Sequence, residues 1–212
     1  AFQSSGNTES VGVAAALRLD REGIDWTHSI RLRADYQRQN GSTSREQFAA
    51  SYEPRWQFDE NIFAYGLAQY ERDRIQGFSS RYSVSGGFGY RVIDNPKLKL
   101  SLKAGPAYRV TDFTDGTSAD RLAGLVGLDF DWQMLDRLKL TQDVEALAET
   151  GGEATLIFDG ANTTINLVTG LDFRVSNRLR SRLSYKVEYD SNPPAGSEGT
   201  DTLTRATLIY GF

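Results

Sequence analysis

The sequence predicts an all-β fold: a single antiparallel up-and-down barrel of about twelve strands that crosses a membrane. Three observations predict it. A two-residue hydrophobic period runs along almost the whole chain, the periodic segments are too long for an ordinary sheet, and the aromatic residues gather in two bands. The 212 residues fit one domain, 1–212.

The period is plainest after Trp26. Trp26, His28, Ile30, Leu32, Ala34 and Tyr36 fall on one face, and Thr27, Ser29, Arg31, Arg33, Asp35 and Gln37 on the other. Val11 to Leu19, Leu98 to Val110, Leu122 to Trp132 and Leu179 to Tyr189 alternate in the same way. The pattern gives strands over 9–20, 25–39, 44–58, 61–75, 79–92, 97–111, 119–134, 137–149, 161–176, 179–190 and 200–212. Ordinary strands are about 5–6 residues long. A tilted membrane-spanning strand needs about 9–11. No segment reads as a helix, and no run of 18 apolar residues offers a transmembrane one.

Tight turns are expected at 21–24, 59–61, 94–96, 135–137 and 176–178. Longer polar connections are expected between them at 40–44, 77–80, 112–120, 151–160 and 190–199. That alternation places all short turns at one end of a membrane barrel. A further strand must then precede the first, with residues 1–5 as its end and Gly6-Asn7-Thr8 as its loop. The count becomes twelve, an even number as in single-chain bacterial barrels. Five residues do not span a membrane, so the start of that strand is expected outside this sequence or supplied irregularly. No signal peptide is visible, as expected after secretion.

Trp26, Trp56 and Trp132, with Phe58, Phe63, Tyr90 and Phe173, lie near the short-turn ends. Tyr36, Tyr108 and Tyr189, with Phe48 and Tyr82, lie near the long-loop ends. Trp26 and Tyr36 are ten residues apart. At about 3.3 Å per residue and a tilt of about 40°, that is roughly 25 Å of membrane height. Two such bands suit the two interfaces of a bilayer. A soluble barrel or sandwich would also alternate, but strand length, the two bands and a polar face rich in Gly, Ala and Ser argue against it.

Hydrophobic residues make up 39% of the chain and the mean hydropathy is −0.46. The net charge of −4 argues against a nucleic-acid partner. The absence of cysteine excludes a disulfide framework and thiol chemistry.

Several short motifs run through the chain in order. They are Gly6-Asn7-Thr8, Tyr70-Glu71-Arg72-Asp73, Gly105-Pro106-Ala107-Tyr108-Arg109, Tyr189 through Pro193-Pro194, Thr200-Asp201-Thr202 and Leu208-Ile209-Tyr210-Gly211-Phe212. By these the chain resembles the salt-induced outer-membrane proteins, a bacterial family with no assigned function. The resemblance implies an outer-membrane location and little about activity. The tail also resembles the carboxy-terminal insertion signal of outer-membrane barrels, with Leu208, Tyr210 and Phe212 facing outward. An exposed strand edge of this kind can pair with the barrel assembly machinery. Expected partners are thus outer-membrane lipid and, during insertion, that machinery; small solutes or ions are possible cargo, and no protein partner is indicated.

With the apolar face toward lipid, the polar face lines a lumen. Its basic candidates are Arg31, Arg33, Arg55, Arg91, Lys103, Arg109, Arg180, Arg182, Lys186 and Arg205; its acidic ones are Asp129, Asp131, Asp143 and Glu145. On the whole face basic residues outnumber acidic ones, although the chain is negative. The phase of strand 61–75 is ambiguous around Tyr70. Two readings follow: a small porin-like channel that favours anions, or a lumen plugged by cross-strand ion pairs in a structural, assembly or stress-response barrel. An enzyme needs a base beside a nucleophile. The only histidine, His28, falls on the lipid face, so neither catalytic residues nor a cofactor is expected. Gly86-Gly87-Phe88-Gly89 precedes no helix and suits a bend in the lumen wall. Asp112, Asp115 and Asp120 could gather a calcium ion, but their spacing fits no known calcium loop, and solvated acids are the default; no metal site is assigned. Pro54 and Pro106 fall mid-strand, where bulges or lost ladder bonds are expected.

Overall fold

The computed structural model describes residues 2–4, 10–75, 77–150, 158–176, 178–193 and 198–210. These residues form twelve strands: β1 (Phe2–Ser4), β2 (Ser10–Glu22), β3 (Trp26–Gln39), β4 (Ser42–Gln57), β5 (Ile62–Asp73), β6 (Phe78–Asp94), β7 (Leu98–Phe113), β8 (Ser118–Leu135), β9 (Leu138–Thr150), β10 (Phe158–Arg174), β11 (Leu179–Asp190) and β12 (Thr200–Tyr210). Each pairs antiparallel with its neighbour in sequence, so the sheet order is the chain order. The all-β meander expected from the period is what the chain adopts.

The sheet curls. Arg205 on β12 bonds Asp35 on β3, and Arg81 on β6 reaches Asp190 on β11 at 4.0 Å. Such pairs meet only if the wall bends round on itself. One face is therefore enclosed and the other is external. The external face carries Leu17, Leu19, Trp26, Leu32, Tyr36, Val84, Val126, Leu183 and other large apolar side chains in the open. The enclosed face carries the charges.

Turn chemistry sets the register. Asn40 and Gly41 have φ of 49° and 80°, the left-handed pair that closes a two-residue hairpin between β3 and β4. Asn95 Oδ1 accepts the N–H groups of Lys97 and Leu98 at 3.0 and 2.8 Å and closes β6 onto β7. Ser176 Oγ does the same for Leu179 at 3.1 Å.

The expected contrast between short turns and long loops is weaker than the sequence suggested. The connection at 40–44 shrinks to residues 40–41, and that at 112–120 to residues 114–117. Polar residues such as Ser42, Thr43 and Ser118 continue the strands, because beyond the apolar band a strand can present polar side chains on both faces. Residues 151–157 lie outside the described residues. Residues 194–197, within the connection expected at 190–199, also lie outside the described residues.

Both mid-strand prolines interrupt a ladder without shifting it. Between β4 and β5 the pairing steps from Tyr52–Ala68 to Arg55–Tyr65, leaving Pro54 opposite Gly66. Between β6 and β7 it steps from Ser85–Ala107 to Phe88–Ala104, leaving Pro106 opposite Gly86. Gly66 and Gly86 are themselves ladder partners, and Pro106 pairs with Gly124. A row of proline and glycine thus crosses the outer face from β4 to β8. Beside it the strands approach closely: a Cβ on Gly87 would stand 2.2 Å from the Ala104 carbonyl oxygen.

The structure fixes the phase of β5. Phe63, Tyr65 and Leu67 point inward and, with Ala107, Ala123, Leu125 and Leu147, form a buried apolar cluster. Phe63 therefore does not belong to the short-turn aromatic band. Its ring lies over Gly89, where an added Cβ would come within 2.1 Å of it. We expect Gly89→Ala to destabilise the folded protein by about 1–3 kcal/mol through overpacking. Combining it with Phe63→Leu should cost less than the sum of the two single changes. Equilibrium urea unfolding in detergent micelles measures both, and strict additivity would remove the contact from this account.

Candidate functional site

Alternation sends every second side chain of β4, β7, β8 and β9 into the enclosed space, and at mid-height these are ions. Lys103 Nζ lies 2.8 Å from Glu53 Oε2 and 3.6 Å from Glu145 Oε2. The two side chains of the closer pair are only 5% and 2% exposed, so each must find its counter-charge inside the wall. The Lys103 stem passes over Gly127, which has no side chain to block it. Arg55 bonds Glu53 on its own strand and donates to Asp129 Oδ2 on β8 at 2.5 Å. Its guanidinium stands 5.0 Å over the Phe63 ring. Gln69 donates to Glu145 at 2.7 Å. Asp143 is the ladder partner of Asp129.

The opposite wall, β10 to β12 with β2 and β3, is less densely filled. Arg33 bonds Asp35 at 2.5 Å, and Arg205 joins the same carboxylate. Arg182 lies 3.7 Å from Asp172 and donates to Thr141 at 3.1 Å, while Lys186 bonds Glu188. Arg18 bonds Asp20 at 2.7 Å yet keeps a side chain 51% exposed. Arg31 faces Arg18 across the ladder. Toward the short turns, Lys139 bonds Asp131 at 3.0 Å and Arg91 bonds Gln57 at 2.6 Å. Arg180 is exposed there beside its ladder partner Arg174.

At the other end Arg109 is buried and fully engaged. Its three nitrogens reach Ser83 at 3.3 Å, Glu149 at 3.3 Å and Thr164 at 3.1 Å. It borders a cavity of about 270 Å3 that Arg81, Arg121, Phe113 and Asp190 also line.

Outside the barrel the aromatic residues stand where the period puts them. Trp26, Trp56 and Trp132 are exposed at the short-turn end, and Tyr36, Tyr108 and Tyr189 at the other. Trp26 stacks on Trp56 and on His28, and His28 stacks on Tyr52 and shares a 2.9 Å hydrogen bond with its hydroxyl. The lone histidine is thus part of an outer aromatic stack. Leu208 is exposed on the same face. Of the Tyr210 side chain nothing is described, and Phe212 lies outside the described residues.

The three loop-end aspartates go separate ways. Asp112 accepts from Ser80 and Ser118, and Asp120 accepts from Tyr108. Thr117 donates its N–H and hydroxyl to Asp115, which holds that carboxyl below the usual range.

Alternation placed Glu53 and Arg81 on the inner polar face, but it left out Gln69 and missed the apolar cluster. Glu53 was visible as an inward acid between Ser51 and Arg55. Phe63, Tyr65 and Leu67 were not, because their strand carries small or apolar residues on both faces.

Breaking one half of the Lys103–Glu53 pair should be costly. We expect Lys103→Met to lose about 3–5 kcal/mol, and Lys103→Met with Glu53→Gln to recover much of it, since the stranded charge is gone. Urea unfolding of both variants checks this.

The curled sheet superimposes on the porin NanC with a TM-score of 0.58, at 7% identity, covering 97% of this chain and 99% of that one. It superimposes on the translocator domain of the autotransporter NalP from Neisseria meningitidis with a TM-score of 0.51, at 16% identity, covering 97% and 79%. The fold is therefore that of outer-membrane barrels. In sequence, the uncharacterized protein YdiY of Escherichia coli K12 is 26% identical over 209 residues, 98% of this chain and 79% of the relative. The designation salt-induced is attached to neither that relative nor the matching family. Residues 1–212 match the family described as "Protein of unknown function, DUF481", and the chain belongs to it.

Proposed function

We propose that this protein is an outer-membrane β-barrel that acts as a narrow, porin-like channel favouring anions, and not as an enzyme. The observation that carries the reading is the uneven filling of the interior. The β4–β9 side is packed by Phe63, Leu125 and the Lys103–Glu53 pair. Along β2–β3 and β10–β12 the inward residues are small or charged: Ala14 and Ala16 are exposed, and Arg18, Arg31, Arg33, Arg182, Lys186 and Arg205 stand against Asp20, Asp35, Asp172 and Glu188. Cations outnumber acids on that wall, and a ring of arginine and lysine selects by its field. The apolar outer face with its two aromatic bands supports the membrane location.

A second reading, a plugged structural or assembly barrel, is favoured by the same packed side: Phe63 and Leu125 are each 1% exposed. Single-channel current in a planar bilayer under a salt gradient separates the two. We expect a small steady conductance whose reversal potential favours chloride. Replacing both Arg33 and Arg205 by Gln should bring the chloride preference toward unity. Folded protein that passes no current would overturn the channel and leave the plugged barrel.

A further inference from the structure

The far mouth of the barrel, away from the short turns, holds two opposed arcs of charge. Arg81, Arg109 and Arg121 come from the adjacent strands β6, β7 and β8. Across from them stand Glu188 and Asp190 of β11 and Glu198 of the following connection. The three arginines, Glu149 and Asp190 line the cavity of about 270 Å3, room for one small solute, while Glu188 and Glu198 line a smaller recess that shares Arg81, Arg109 and Asp190 with it.

Not every charged group there has a direct hydrogen-bond partner. Arg109 spends its donors on Ser83, Glu149 and Thr164. Arg81 does not. Its side chain is 13% exposed, packed 4.1 Å over the Phe78 ring, and its Nε is buried without a hydrogen-bond partner. Its terminal nitrogens stand 4.0 Å from Glu71 and from Asp190, too far for a hydrogen bond to either. Asp190 uses Oδ1 on the Asn192 N–H at 2.9 Å, which leaves Oδ2 facing Arg81. Among the described residues, Arg121 donates only to the neighbouring carbonyl of Asp120, at 3.3 Å. A buried guanidinium nitrogen without a partner is costly.

We infer that this mouth binds a small zwitterion of the amino-acid class. Its carboxylate is taken by Arg81, with Arg121 at the rim, and its ammonium by Asp190 and the acidic arc. A solute carrying both charges enters between Arg81 and Asp190 and supplies each with the direct hydrogen bond it lacks. A simple anion would satisfy the basic arc and leave the acidic arc facing it; a simple cation would do the reverse. The inference refines the channel reading by naming a solute class, but the site needs no open lumen and stands even if the barrel is plugged.

The test is isothermal titration of the full chain, folded in detergent micelles, with L-alanine, acetate and ethylamine as probes. We expect L-alanine to bind at least 10-fold more tightly than either half-molecule. Arg81→Gln and Asp190→Asn should each weaken it at least 10-fold, and Arg180→Gln, at the other mouth, should leave it unchanged. The comparison of probes uses unaltered protein, so it stands even if a variant fails to fold. No binding of L-alanine, or acetate binding as tightly as L-alanine, overturns the proposal. Conductance is read separately, so a failed titration beside a working channel rejects the site alone.

Discussion

Charge can be enclosed by a β wall only if it is neutralised where it stands, and the rest of this structure follows from that requirement. An isolated ion in a dry interior is penalised by far more than a typical domain's stability margin, whereas a paired one is tolerated. The outer face offers no place for these ions at that height, because it is apolar there. Arg55, Lys103, Asp129 and Glu53 must therefore meet inside, from strands that are not neighbours. Meeting in this way holds β4 against β7 and β8 and sets how far that side of the wall closes. On the opposite side the inward side chains are more exposed.

Small residues make the meeting possible. Gly127 lies beneath the Lys103 stem, Gly170 beneath the Arg182 guanidinium and Gly89 beneath the Phe63 ring. In each case a long side chain on one strand lies across a strand that has none at that position. Interior packing here is a matter of reach and vacancy, unlike the interdigitation of two apolar faces in a soluble sandwich.

The period of two carried most of the architecture because lipid and lumen impose opposite chemistry on alternate residues. It failed where a strand obeys neither. On β5, the sequence Phe63-Ala64-Tyr65-Gly66-Leu67-Ala68 is apolar or small on both faces, so nothing local fixes its phase. That is decided by the neighbours: Gly89 provides the space and Arg55 the cation for an inward Phe63. The ion pairs were illegible for a related reason. Arg55 and Asp129 are 74 residues apart, and alternation says that both face inward without saying which acid meets which base. Loop lengths were overestimated because polarity marks a loop only while the strand is still in the apolar band; Ser42 and Thr43 lie beyond it and remain paired.

The proline–glycine row from Pro54 to Gly124 gives the barrel a crease. Where Pro54 faces Gly66 and Pro106 faces Gly86, the wall has little side-chain bulk and fewer cross-strand bonds to resist bending. Strands β5, β7 and β8, which carry this row outside, carry Phe63, Tyr65, Leu67, Ala107 and Leu125 on the inner face. The most yielding stretch of the wall is thus backed by the most tightly filled part of the interior, which braces from within what two imino acids weaken from without.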